Sequence, residues 1–494
     1  MIPDRAVVFI AILCSPLAAR AGGAPASWIP ARWEGGPLEL ARRARTGALP
    51  AGPEVRDLIE NWYDPTTLRL LDGSRINCLL VTWSAGADAA IERRQRQLVT
   101  AYAAEAHKRG IAVLGLVYPG PEAPKAAAEP SSLDGLVLDG DFPVPLRAAP
   151  ALTIPIWPDA ASARAAKTPV IALRGVPPGS RNLADMGIRS APSSEPWIES
   201  NIWLVRSLRI APPFPAVWID QQPAAGSPQD YGRAVADAAV AGGRWIVAPD
   251  DALRAGLRRN DPAALDTWRR IGALLDFAEA NGAGSNPYGN LAIVLDGDGA
   301  GQEDYLKLAA RRQVPYRILP RAGLTAKSLA DFRAVLALAL TPPSAAERGI
   351  LNAFAQRGGV VIAGPSWGHP PAGDRYAERP LGKGRAVVYR DPDPESVARD
   401  LKDILSPREM GVVAFNVPSV ITYTAGFGPG LLTHLLNYSN SPAESITLRV
   451  HGRFQSAKLL LPGAAPADLP VKTEDGSADV SIPRLPLWGA VLWR

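Results

Sequence analysis

Residues 106–120 read AHKRGIAVLGLVYPG. The first four close an amphipathic segment that begins near residue 88, and Gly110 interrupts it. An unbroken apolar run, IAVLGLVY, follows before Pro119 and Gly120 turn the chain. A strand with one wet face alternates apolar and polar residues, whereas this run is apolar throughout, which predicts a strand covered on both faces. Helix, glycine, continuous strand and turn together make the repeating unit of a parallel α/β sheet.

Working outward, the same unit recurs. From about residue 28 to 285 the runs are WIPARWEG, INCLLVTW, IAVLGLVY, GLVLDGDF, LTIPIW, PVIALRG, PAVWID and RWIVAP, and clear amphipathic helices lie at 88–109, 229–241 and 262–280. Eight such runs predict a (β/α)8, TIM-like barrel. The first run is the weakest, and the connections near 119–132 and 143–151 are too short and too proline-rich for full helices, so a degenerate barrel is expected. The rhythm restarts at NLAIVLD, and residues 288–406 read as a flavodoxin-like α/β domain. From 408 to 494 the runs alternate between turns, which predicts a small antiparallel β-sandwich.

Bulk properties agree with a folded, multidomain chain. The 494 residues are 47% hydrophobic and 20% charged, and 49 prolines with 45 glycines imply many loops. The net charge of +5 is spread among mixed-sign stretches such as LRRNDPAALDTWRR, the pattern of solvated helix faces and not of a nucleic-acid surface. Arg5, the apolar AVVFIAILCSPLAA and Ala19-Arg20-Ala21 lay out a signal peptide over 1–21, too short for a membrane span. Export to the periplasm or medium is therefore expected, with no membrane span after cleavage and Cys78 as the remaining thiol.

Two motifs are decoys. Gly364, Ser366 and Gly368 spell G-x-S-x-G, but the following WGHPPAGDRY cannot start the helix that a nucleophile elbow requires. VLDGDGAGQED (294–304) fails as a calcium loop because Lys307 stands where the bidentate Glu belongs. Four scattered histidines offer no zinc set, and no G-x-G-x-x-G opens a helix, so no cofactor is expected.

The chemistry left is that of carboxylates. Barrel active sites lie at the C-terminal strand ends, and acids gather there: Asp139 and Asp141, Asp159, Asp220, and Asp250 with Asp251. Trp83, Tyr118, Trp157, Trp218 and Trp245 accompany them, and Glu195 and Trp197 follow the sixth run. Aromatic rings stack on sugar C–H faces while carboxylates bind hydroxyls. Asp139 ends the fourth run and Asp220 the seventh, a placement that lets two carboxyls flank a glycosidic bond, Asp139 as nucleophile or base and Asp220 as general acid. Each acid also has a bland reading as a turn former or helix cap, Asp250-Asp251 before ALRAGLRR above all.

The layout resembles the thermophile-type retaining β-galactosidases and bacterial glycoside hydrolases of the same build. The phrases that carry it are INCLLVTWSAG, AHKRGIAVLGLVYPG, GLVLDGDFP, GGRWIVAPDD and FAQRGGVVIAGPSWG. The resemblance implies an oligo- or polysaccharide substrate and a structural or homo-oligomerising middle domain. That family places glutamates on strands four and seven, the acid in an Asn-Glu pair; here Asp139 and Asp220 stand there. The expectation is an exported glycoside hydrolase; the alternative is a non-catalytic glycan-binding protein on a degenerate barrel. A purely structural surface protein is a weaker third reading, because scaffolding gives no reason to set tryptophans beside acids.

Overall fold

The computed structural model describes residues 23–50, 52–128, 132–142, 152–164, 166, 168–181, 197–210, 214–222, 226–282, 286–296, 302–338, 342–368 and 373–494. Eight parallel strands follow one another around a barrel in chain order: β1 (Pro30–Arg32), β2 (Cys78–Ser84), β3 (Ala112–Val117), β4 (Gly135–Leu138), β5 (Thr153–Trp157), β6 (Val170–Arg174), β7 (Ala216–Asp220) and β8 (Arg244–Trp245). A parallel bridge between Ala31 and Val247 closes the ring, through Arg32 N–H to Val247 O (2.8 Å) and Val247 N–H to Pro30 O (2.9 Å).

Continuous apolar strands sort by parity into two layers. Cys78, Leu80, Leu114, Leu116, Val137, Ala172 and Trp218 fill the interior. Leu79, Val81, Trp83, Val113 and Ile219 face the surrounding helices. The ring is uneven, as the short connections imply: β3 is followed by a six-residue helix, Ala123–Ala128, and β5 by a five-residue one, Ala160–Arg164. The connection at 143–151 lies outside the described residues.

The next sheet holds Leu291–Leu295, Tyr316–Pro320, Ala334–Leu336, Val360–Ala363, Tyr376–Leu381 and Gly384–Tyr389, in the spatial order second, first, third, fourth, sixth, fifth. All its pairs are parallel except the last hairpin, so it is doubly wound and flavodoxin-like. The decoy serine stands here: Pro365–Trp367 is one 3₁₀ turn, Gly368 takes φ +127°, and among the described residues no α-helix lies between Ser366 and the strand Tyr376–Leu381. His369 lies outside the described residues.

Two antiparallel sheets, of four and five strands, pack as a sandwich over Val420, Leu435, Leu448, Val480 and Trp493. The sandwich is pinned to the barrel by polar contacts. Tyr438 donates its hydroxyl to Asp237 (2.6 Å) on the barrel helix Pro228–Ala239, and its carbonyl accepts from Ser180 N–H (3.1 Å). Phe277 packs edge-on against Trp488, with ring centroids 4.7 Å apart.

Candidate functional site

Strand parity carries inward-facing residues to the C-terminal mouth. Val137 and Asp139 share a face, as do Trp218 and Asp220, Ala172 and Arg174, and Leu116 and Tyr118, so the top interior layer is polar above an apolar floor. Within it Asp139 and Asp220 come together on Arg32, the last residue of β1. Arg32 grips Asp220 bidentately, Nε to Oδ1 at 2.7 Å and Nη2 to Oδ2 at 2.8 Å. The same Nη2 donates to Asp139 Oδ2 at 2.7 Å. Two oxygens bonded to one nitrogen lie no further apart than the two bonds laid end to end. That places them at or inside the roughly 5.5 Å of a retaining carboxylate pair and below the roughly 6.5–9.5 Å of an inverting one.

A second guanidinium closes the group. Arg174 donates Nη1 to Asp220 Oδ2 and Nη2 to Asp139 Oδ1, so the carboxylates are clamped between two cations. The cations differ in access: the side chain of Arg32 is 7% exposed and that of Arg174 46%. Glu34 joins from the chain just past β1, 3.3 Å from Arg32 Nη1, and accepts the Tyr118 hydroxyl.

Electrostatics follow the geometry. Burial alone raises the pKa of Asp139, but Arg32 and then Arg174 outweigh it and hold the carboxyl below its usual range. Glu34 is lowered in the same way, burial being overcome by Arg32 and Arg42. The Tyr118 phenol is pushed up by burial first and by Glu34 next. The mouth thus holds anions whose charge is matched by fixed guanidiniums.

An outer ring supports it. Glu39, fully buried, takes Arg42 (Nε 2.8 Å) and Arg43 (Nε 2.7 Å), and Arg43 reaches on to Asp251 at 2.6 Å. Arg254 donates to the Glu34 carbonyl at 2.7 Å while its guanidinium stacks on Trp62, 3.9 Å from the ring centroid. Residues on either side of the barrel closure are therefore tied side chain to side chain.

The structure disperses the rest of the expected set. Trp83 and Trp245 face the helices and are enclosed, their indole N–H groups given to the carbonyls of Ala126 (3.2 Å) and Gln221 (3.0 Å). Trp218 is fully buried in the barrel floor, where no ring face is open to a sugar. Trp157 is half-buried, and Asp141 stands exposed beyond β4. Trp197 belongs to a small hairpin, where it donates to Glu199 (2.7 Å) and lies under the Arg311 guanidinium at the seam with the second α/β unit. Asp250 caps the helix Asp251–Arg258 by accepting Leu253 N–H at 2.7 Å, and Asp251 pairs with Arg43, so both serve the fold. Glu195 lies outside the described residues.

Arg32, Arg174 and Glu34 were not singled out from the sequence. Their signal was there in ARWEGG and ALRG, where a polar residue stands on the inward parity of a strand end. Two buried aspartates also require counter-ions, which these residues supply. Among the described residues no three His, Cys, Asp or Glu gather as a metal-ligand set, and none of the helices is long and apolar enough to cross a membrane.

No protein-family model matches the chain, and no curated protein matches it. Among solved structures, the α-L-fucosidase isoenzyme 2 from Paenibacillus thiaminolyticus is similar over 86% of this chain and 95% of its own, at 12% identity and a TM-score of 0.53. An exo-β-1,4-mannosidase from Opitutaceae bacterium strain TAV5 matches over 77% of this chain and 95% of its own, at 10% identity and a TM-score of 0.45. A β-galactosidase from G. stearothermophilus matches over 81% and 67%, at 9% identity and a TM-score of 0.36. The likeness to the fucosidase is one of fold.

Proposed function

We propose that this chain is an exported carbohydrate-active protein of glycoside hydrolase type, with its sugar site at the barrel mouth. The observation that supports it most is the meeting of Asp139 from β4 and Asp220 from β7 on one nitrogen of Arg32. Carboxylates at that separation suit a retaining double displacement, in which one attacks the anomeric carbon and the other handles the proton. Asp139, held ionised, suits the nucleophile or base. Asp220 receives three N–H bonds in the clamp, two of them from buried Arg32, so proton donation from it requires both Arg32 and Arg174 to release an oxygen.

The clamp also favours a second reading. Asp139, held ionised by two guanidiniums, fits a glycan-binding barrel that no longer hydrolyses.

Purified protein from about residue 22 is tested for release of reducing sugar from plant and bacterial polysaccharides and of chromophore from aryl glycosides. The fold neighbour puts an α-L-fucoside in the panel, and the sequence resemblance a β-galactoside. Turnover lost in both Asp139→Asn and Asp220→Asn, with folding intact, supports the hydrolase and its pair. Turnover that survives both removes this site. Saturable sugar binding with no turnover on any substrate selects the second reading.

A further inference from the structure

The opposite, N-terminal end of the barrel holds an arrangement unlike the mouth. Arg206 and Arg209 sit on and just past the helix Ile202–Leu208, ahead of β7. With Phe214, Pro287, Ile318 and Tyr423 they line a cavity of about 40 Å³ where the barrel meets both following units. That is room for about three water molecules, the size class of a tetrahedral oxyanion.

Among the described residues neither guanidinium in this cavity has a carboxylate partner. In the mouth each guanidinium meets carboxylates, whereas Arg206 donates to the Tyr316 carbonyl and stacks on Tyr316, 3.6 Å from the ring centroid. Arg209 donates to the Pro215 carbonyl at 3.0 Å and faces Phe214 at 5.2 Å. Glu279, which lines a neighbouring cavity with Arg209, is taken by Arg244 at 3.3 Å. Burial draws the Arg209 pKa down, Tyr423 opposes that, and Arg244 adds to it. The carbonyls at the helix C-terminus offset part of this charge, but they are not a counter-ion. Tyr423, 7% exposed, lies beside both guanidiniums, and among the described residues its hydroxyl has no hydrogen-bond partner. Two half-buried, carbonyl-anchored guanidiniums and a hydroxyl with no partner among the described residues thus turn donors, and no carboxylate, toward one small cavity.

We propose that this cavity is an oxyanion site, binding free phosphate or sulfate between Arg206, Arg209 and the Tyr423 hydroxyl. The anion completes the seam: it accepts from one helix of the barrel and from one strand of the sandwich, and so fastens the two together. Guanidiniums held in place by carbonyls and rings are pre-organised for such a ligand, which lowers the ordering cost of binding. The site is separate from the barrel mouth and independent of what that mouth does.

Calorimetric titration of the full chain with inorganic phosphate and with sulfate, against chloride at matched ionic strength, tests this. The expected result is saturable one-to-one binding of either oxyanion, no saturable heat with chloride, and a rise in Tm with the oxyanion alone. Arg209→Gln and Arg206→Gln each weaken binding about tenfold or more. Tyr423→Phe, which keeps the ring and the packing, weakens it by a smaller factor and keeps the test decisive should an arginine variant fail to fold. Absence of saturable binding to the unaltered protein overturns the proposal, as does binding that all three variants retain in full.

Discussion

Arg32 and Arg174 face one another across the Asp139–Asp220 pair, one buried and one half-exposed. The inequality divides their work. β1 is three residues long and meets the chain just past β8, at Val247, by one bridge, so backbone pairing alone closes the barrel weakly. Arg32 reinforces that closure by reaching from β1 to the ends of β4 and β7. Arg174 lies on the solvent side, where it covers the carboxylates from above.

Removal of Arg32 should therefore cost far more than removal of Arg174. Arg32→Met leaves two buried carboxylates partly uncompensated and is expected to destabilise by about 3–5 kcal/mol. Arg174→Met removes a half-exposed partner and is expected to cost on the order of 1 kcal/mol. Urea unfolding at pH 7 measures both; equal losses would show that the buried clamp does not hold the barrel.

His434 predicts a stability change in mild acid. It is fully buried, and Trp488 Nε1 donates to its Nδ1 at 3.3 Å, a bond only the neutral ring can accept. Burial lowers its pKa to about 4. Below about 6.5 the unfolded chain takes up a proton that the folded chain refuses, so stability falls with pH until the folded ring titrates near 4. The span corresponds to about 3 kcal/mol. His434→Gln, which keeps an acceptor and does not titrate, should flatten the loss between pH 6.5 and 4 in unfolding curves; a loss unchanged by the substitution would assign it elsewhere.

Gly36 is set by its neighbours. It takes φ +81°, and a Cβ there would lie 2.3 Å from Gln95 Oε1. Gln95 is committed: it accepts Leu38 N–H at 3.2 Å and donates to the carbonyls of Gly35 (2.9 Å) and Thr82 (2.8 Å). Gly36→Ala combines backbone strain with loss of these bonds and should cost about 2 kcal/mol or more, seen as a drop in Tm. Gly47→Ala, also at positive φ but with open space around it, should cost less.

Parts of this were legible and parts were not, for physical reasons. Parallel strands buried on both faces must be apolar throughout, so INCLLVTW and IAVLGLVY disclosed the barrel, and counting strands placed Asp139 and Asp220 at four and seven. The tryptophans misled because an aromatic at a strand end is equally at home under a helix. Parity separates the cases: Trp83 continues the outward row of Leu79 and Val81, while Trp218 lies below Asp220 on the inward row. The arginines carried only the weak signal of a polar residue on the inward parity of a strand end, and their partners were not legible, because only the fold brings Arg32 to Asp220, 188 residues away. Asp250 is a helix cap, as its place before ALRAGLRR allowed.

The clamp also sets the acid limit of the fold. Asp139 is held below its usual pKa because Arg32 and Arg174 outweigh the burial that raises it, and Glu34 is lowered because Arg32 and Arg42 do the same. A carboxyl whose folded pKa is depressed contributes stability that is fully present above its unfolded value of about 4. That contribution is lost as pH falls through the lower folded value. The unfolding free energy of the unaltered protein should therefore drop steeply below about pH 4, beneath the window governed by His434. Asp139→Asn removes one of these groups and should be less stable at pH 7 yet lose less on going from pH 4 to pH 2. Chemical denaturation at three pH values separates the two arms, and an Asp139→Asn curve parallel to that of the unaltered protein below pH 4 would mean that Asp139 is not held ionised by its arginines.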